Sequence, residues 1–428
     1  MLSYFARCFG FRSDRRSREI RLHPTRRPLR LEALEDRRLL SAAPYVVDSL
    51  EDVVAEDGVV TLREAIEAAN TNTVVGDAHA GSAEETDVIT FAPELLGGTI
   101  ALEKRHFAIA ESIAIRGPGA DALTIDASDS AFGFFMIDAG EVSISGVTIQ
   151  NSGQAGIFSY QSDLAISDAV FQGCGGSGIL TTDGTLAVTD SIFTENVGDY
   201  GGGLSAEGTW VNIAACSFAD NTANSGGAIG MKDGSLTVAD CSFTHNIAHG
   251  TGGGVSVLRS TLAVENCMIT GNSSGGHGGG IYAGTDMMTV QNSTISENAS
   301  GQSGGGINCG GDMIRITDCH ISGNVAVSTA GGLYSYAHEA TILTGCSIVD
   351  NSVGSTYAFG GGIYGYRLHI SNCTVSGNQA TYLAGGIAAY ESLTLIQSTV
   401  ADNEAARAGG FWCHADSPVT MFNSVVAL

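Results

Sequence analysis

One phrase recurs along this chain and restricts its fold more than any other feature. At Cys241–Val255 it reads CSFTHNIAHGTGGGV. A small or Cys residue is followed two later by Phe, Ile or Val, then by Asn, a short polar turn and a glycine run closed by an aliphatic residue. The Asn recurs at 196, 221, 246, 272, 298, 324, 351, 378 and 403, with intervals of 25, 25, 26, 26, 26, 27, 27 and 25. A period that steady is the signature of a solenoid, in which each unit buries its apolar face only by stacking on its neighbours.

Around Cys241 the inward residues read as Leu236 and Val238, then Cys241 and Phe243, then Val255 and Val257. Three short strands and three turns fill the period, which is too short for helix pairs. The fold class is all-β, a parallel β-helix of three short strands per coil. From Asp87 to Leu428 there is room for roughly 13 coils, or ~60 Å at ~4.8 Å per rung. Stacked Asn side chains can bond each other from coil to coil. The glycines, 58 of 428 residues, are periodic without a Gly-X-Y pattern, which excludes collagen.

Charge divides the chain. Residues 1–43 carry 11 Arg and 5 acids, a net of +6, and the rest carries −31 of the total −25. An acidic body excludes nucleic acid as a partner, because phosphate binding needs clustered Lys and Arg. No run of 18 apolar residues exists to span a membrane as a helix. Six of the ten cysteines (216, 241, 267, 319, 346 and 373) share one repeat position with Ser293 and Ser398, and Cys309 and Cys413 share a second. That alternation marks small core-fillers, and their side chains run parallel rather than facing each other as a bridge requires.

Three segments follow from the order of the chain. Residues 1–43 are an export or leader segment. Residues 44–86 form an N-terminal cap with a helix over 61–70, opened by the capping box Thr61–Glu64 and striped by Leu62, Ala65, Ile66 and Ala69. Residues 87–428 form the β-helix, with a C-terminus that reads as uncapped or truncated. The string LEALEDRRLLSA at Leu31–Ala42 resembles the leader motif of large exported bacterial surface proteins. VTLREAIEAANTN resembles the CSLREA-type motif that precedes many right-handed β-helix proteins, with Val60 in place of Cys and Thr61 in place of Ser. The FxxN and GGGI array resembles the repeats of polymorphic outer-membrane proteins. These resemblances imply a right-handed helix and an extracellular or cell-surface location.

Two constellations could carry function. The residue before the ladder Asn gives Glu195, Asp220 and His245 on consecutive coils, and two carboxylates ~5 Å apart fit a glycosidase pair. That is the arrangement a polysaccharide lyase or glycoside hydrolase of the pectate lyase or polygalacturonase kind would use. The row continues as Gly271, Glu297, Gly323, Asp350, Gly377 and Asp402, which equally describes a solvated turn. The second constellation is aromatic. Outward positions after the glycine run hold Tyr282, Tyr334, Tyr336, Tyr364, Tyr366, Tyr390 and Trp412, with His414 extending the line and Arg367, Glu339, Glu391 and Asp416 just beyond. Flat faces at ~4.8 Å match one sugar unit per coil, while tyrosine also favours exposed strands for its own sake. No cofactor is implied. The turn acids Asp233, Asp286 and Asp312 could take calcium, and no spacing repeats as a zinc site would. The sequence therefore points to a binding, adhesion or structural module for a polysaccharide or another surface component, with the enzyme as the alternative.

Overall fold

The computed structural model describes residues 43–103, 105–128, 133–138 and 140–427. Of the expected leader, residues 1–42 lie outside these. The body is a right-handed parallel β-helix of about 13 coils. In the coil after Cys241 the chain passes through Val255–Leu258, Thr261–Glu265, Met268–Thr270 and Ser273–Ser274. Each pairs in parallel with its equivalent one coil on, Val255 with Ile281, Leu262 with Met288, Ile269 with Ile295 and Ser273 with Ala299. The fourth row is an addition to the three strands read from sequence. The turn opened by the ladder Asn contains a short strand of two to five residues, and these stack into a separate sheet of nine.

The core is the set of columns that the repeat predicts. Leu236, Val238, Cys241, Phe243, Val255 and Val257 are all buried. Phe171, Phe193, Phe218 and Phe243 stack face to face at 4.8, 4.6 and 5.0 Å, and the column continues as Ile269, Ile295, Ile321 and Ile348. The ladder asparagines are buried beside it. Asn246 donates from both its backbone N–H and its Nδ2 to Asn272 Oδ1 (3.0 and 2.9 Å), and Nδ2 also donates to the Phe218 carbonyl (3.0 Å). Each amide so satisfies the preceding coil's corner, as a buried bend requires.

Two glycines of each run do different work. Gly278 takes φ 66°, a left-handed conformation that an L side chain rarely adopts. At Gly279 a Cβ would lie 2.3 Å from the Gly305 carbonyl oxygen, so that position is set by the closeness of the next coil.

The nine described cysteines are free, and all but Cys413 are buried. They do more than fill space. Cys241 Sγ accepts from the Cys216 N–H (3.3 Å) and donates to the Ala239 carbonyl (3.0 Å). Ser293 Oγ does the same for the Cys267 N–H (3.0 Å) and the Gln291 carbonyl (2.7 Å). Cys and Ser alternate in this column because both are small groups that donate and accept one hydrogen bond.

The N-terminal helix spans Leu62–Thr71, with Thr61 as its cap. The capping box closes in both directions: Thr61 Oγ1 accepts from the Glu64 N–H, and Glu64 Oε2 accepts from the Thr61 N–H. Leu62, Ala65, Ile66 and Ala69 are buried over the first coil. Arg63 is buried with them, its Nε 2.6 Å from Asp52 Oδ1 and its guanidinium 4.7 Å over the Phe107 ring. A buried Arg held by carboxylate, carbonyl and ring keeps its charge satisfied while sealing the open end. At the other end the last strands, Val419–Phe422 and Val425–Val426, are exposed.

Candidate functional site

The position before the ladder Asn has a backbone explanation. Glu195, Asp220 and His245 have φ of 58°, 56° and 54°, and Glu297, Asp350 and Asp402 have 57°, 56° and 53°. Gly271, Gly323 and Gly377 fill the same corner at 68°, 63° and 66°. Asp, His and Gly are among the residues that tolerate the left-handed region. The interchange with glycine was the signal, already present in the sequence, that this row answers to a turn. A second corner, before the Cys/Ser column, is left-handed in the same way at Asp190, Asp240, Asn266, Asn292, Asp318, Gly345 and Asn372, with Ala215 and Gln397 as departures from the residue preference. The three proposed catalytic side chains are exposed on the corner. Glu195 Oε2 accepts from Gln172 Nε2 (3.1 Å) on the preceding coil, whereas the His245 ring lies against Gly271 on the following one. The outer two members turn away from each other, with Asp220 between them.

The aromatic positions do assemble, in two columns. The first outward position after the glycine run pairs Tyr282, Asn308, Tyr334, Tyr364, Ala388 and Trp412 coil by coil. Tyr334 and Tyr364 stack at 5.2 Å with planes 4° apart. Their faces cover each other and their edges point outward, which differs from a row of open faces. Both are half-buried, and burial raises both phenol pKa values. Tyr282 stands apart, separated from Tyr334 by Asn308, with His277 as its ring neighbour at 6.4 Å.

The second outward position carries the continuous ladder. Tyr336 meets Tyr366 at 4.6 Å, Tyr366 meets Tyr390 at 5.2 Å, and Tyr390 meets His414 at 4.9 Å. Tyr366 is turned 77° from Tyr364 and Trp412 is turned 90° from His414, so the first column buttresses the second. Tyr336 and Tyr390 are 46% and 42% exposed. The strand register slips beside this ladder on three successive coil pairs, at Gly311/Met313, Ser335/Thr341 and Gly365/Arg367. Such bulges re-aim side chains and end regular pairing. One of them carries His338 and Glu339 out next to Tyr336, whose ring is 5.5 Å from His338.

A further aromatic group went unread in the sequence. Tyr357 and Phe359 lie edge-on to Tyr382 at 5.5 and 5.8 Å, and the Arg407 guanidinium lies 5.2 Å over the Tyr382 ring. Phe359 immediately precedes Gly360, so this group stands across the glycine corner from Tyr364. Its signal was the aromatics in the turns before two successive glycine runs, Gly360–Gly362 and Gly385–Gly386. As for metals, among the described residues no three His, Cys, Asp or Glu side chains come close enough to hold an ion. Asp233 is occupied by Arg259 at 2.5 Å.

The fold and its corners define a class, the single-chain parallel β-helix with an outward aromatic ladder. Residues 111–209 and 253–426 match the right-handed beta helix region family, and the chain belongs to that family. Among curated protein sequences none matches it. Among solved structures it is similar to the A-module of a mannuronan C-5 epimerase from Azotobacter vinelandii, at 15% identity over 88% of this chain and 97% of that one, with a TM-score of 0.43. It is also similar to tailspike protein 3 of bacteriophage CBA120 (13% identity, 80% and 57% covered, TM-score 0.41). A periplasmic alginate epimerase follows (10% identity, 80% and 77% covered, TM-score 0.38). The likeness is one of fold.

Proposed function

We propose that the chain is an exported, surface-displayed module that binds a polysaccharide along the Tyr336–Tyr366–Tyr390–His414 ladder. The observation that carries this reading is the ladder itself, four rings in contact on four consecutive coils, two of the tyrosines nearly half exposed. Tyrosine offers an apolar ring and a hydroxyl together, which suits a ligand with alternating C–H faces and hydroxyls. Tyr364 and Trp412 pack edge-on against Tyr366 and His414 from the adjacent column, with Tyr334 stacked on Tyr364, so little side-chain freedom is lost on binding. The basic leader, the capping motif and the acidic body all accord with export and adhesion at a cell surface. Binding to a panel of immobilised glycans tests the reading. Tyr390→Ala and Tyr366→Ala should each weaken binding by ten-fold or more with the fold intact by circular dichroism; unchanged binding would remove the proposal. Product assays on uronate polymers with Glu195→Gln and Asp220→Asn test the rival hydrolase or lyase.

A further inference from the structure

The charges around the ladder select among polysaccharides. Between residues 282 and 416 the chain has three Arg, no Lys and ten Asp or Glu. None of the three Arg is available to a carboxylate on the ladder. Arg367 is nearest, and its Nε donates to Glu391 Oε2 at 2.6 Å while Nη1 donates to the His338 carbonyl. Arg407 lies over Tyr382 across the glycine corner. Arg315 stands on the next strand row, paired with Thr289 and Ile342. Along the border where these rings end, Glu339, Glu391 and Asp416 are exposed.

We infer that the ladder takes an uncharged polysaccharide and excludes polyuronates. This rests on the reading of the ladder as a glycan contact. A polyuronate places one carboxylate on each sugar, so a chain lying along the rings would bring several anions beside an acidic border with no unpaired Lys or Arg among the described residues of the ladder to meet them. The penalty is Coulombic and therefore sensitive to salt. An uncharged chain meets only ring edges, ring faces and phenol hydroxyls. From Tyr336 to His414 is three rungs, ~14 Å at ~4.8 Å each, which is about three sugar units. Tyr282, two rungs before Tyr334, lies outside that span.

The test uses the full chain and three soluble polymer classes, an uncharged glucan or mannan series, polymannuronate with polygalacturonate, and deacetylated chitosan, at about 20 and about 500 mM NaCl. The inference expects binding to at least one uncharged polymer, lost in Tyr390→Ala and changed less than about two-fold by salt. Polyuronates should bind at least ten-fold more weakly at low salt. Glu391→Gln, which releases Arg367, should raise polyuronate binding at low salt and leave the uncharged polymer unaffected. Tyr390-dependent binding that prefers a polyuronate overturns this inference and keeps the glycan reading. A preference for chitosan that vanishes at high salt likewise overturns it. If no polymer binds in a Tyr390-dependent way, the glycan reading itself falls.

Discussion

Replacing Asn298 by Ala tests whether the asparagine ladder holds the coils together. Asn298 Oδ1 accepts from the Asn272 N–H (2.9 Å) and from Asn272 Nδ2 (3.0 Å). Its Nδ2 donates to the Ile269 carbonyl (2.9 Å) and to Asn324 Oδ1 (3.0 Å). Alanine removes all four bonds. Asn324 Oδ1 keeps the Asn298 N–H as a partner (3.0 Å), and Asn272 Nδ2 keeps the Phe243 carbonyl (2.9 Å). The group stranded outright is the Asn272 N–H; the Ile269 carbonyl loses its amide donor but stays in the strand pairing with Thr294–Ser296, and one Asn272 Nδ2 hydrogen is partly relieved by the Thr270 carbonyl at 3.3 Å. A buried, unsatisfied group costs about 1–3 kcal/mol and the other lost bonds about 1 kcal/mol more, so the expected loss is about 2–4 kcal/mol. A repeat array need not unfold in one step, so the readout is native-state hydrogen exchange at the Asn272 amide together with the urea midpoint. Asn403→Ala is the internal control. Its equivalent bonds end the row where the residue is 7% exposed, and water can take over the abandoned groups. A loss below about 1 kcal/mol at Asn298, or equal losses at the two sites, would refute the buried-ladder argument.

Other expected outcomes concern the same scaffold. Asn298→Asp points a carboxylate at two acceptors, Asn324 Oδ1 and the Ile269 carbonyl, so the folded-state pKa must lie above the ordinary value of about 3.9. A raised folded pKa means stability that is complete below the unfolded pKa and lost as pH rises through the folded one; urea midpoints should therefore fall from about pH 4 toward pH 7 more steeply than in the parent chain, where buried Asp87 already contributes a slope of the same sign. Phe218→Ala removes the middle of the four-ring stack and should cost about 3–5 kcal/mol, with exchange accelerated first at the Phe193 and Phe243 coils; a uniform small effect would mean the stack relaxes freely. Burial pushes the Cys174 and Cys309 thiols up to about 12. In native protein at pH 8, alkylation followed by peptide mapping should label half-buried Cys413 first among the described cysteines, and the others only on unfolding.

The coil, its inward columns and the capping helix were legible because each rests on a strict period or a local bond. Phe243 and Val257 had to face inward once Asn246 was placed, and Thr61 with Glu64 can close only one kind of helix start. The corner at Glu195 was open to two readings, a catalytic set and a solvated turn, because acid, imidazole and glycine look chemically diverse until φ is known. What unites them is tolerance of a left-handed backbone. The orientation of the rings was illegible for a different reason. Sequence sets which face Tyr364 and Tyr366 share, but the choice between stacking along the rungs and turning edge-on depends on χ angles and on the bulge beside them. Tyr364 stacked on Tyr334, and Tyr366 turned.

The period itself marks where the surface departs from pure scaffold. The two longest intervals, of 27 residues, run from Asn324 to Asn351 and from Asn351 to Asn378, the coils that carry Tyr334, Tyr336, Tyr364 and Tyr366. In the first, the extra length falls in the bulge at His338 and Glu339. In the second, Asn351 and Ile363 are 12 apart, where Asn324 to Leu333 and Asn378 to Ile387 are 9. The additional residues form the turn that carries Tyr357, which is 70% exposed and edge-on to Tyr382. A solenoid gains nothing in packing from such an insertion, and lengthening a surface loop costs little. Deleting Ser355–Tyr357 restores the neighbours' spacing. The Asn351 Nδ2 to Asn378 Oδ1 bond (2.9 Å) and the strand Ile363–Ser371 do not involve that turn; what is lost is the Ser355 N–H bond to the Val327 carbonyl (2.8 Å), the bonds that the Ser355 carbonyl accepts from the Ala358 N–H and Thr381 Oγ1, and the Tyr357–Tyr382 contact. These contacts are at the surface, so stability should fall by no more than about 2 kcal/mol. Glycan binding should fall if the turn forms a side wall to the ladder. Binding that survives the deletion intact, in a protein that stays folded, would confine the contact to Tyr336, Tyr366, Tyr390 and His414.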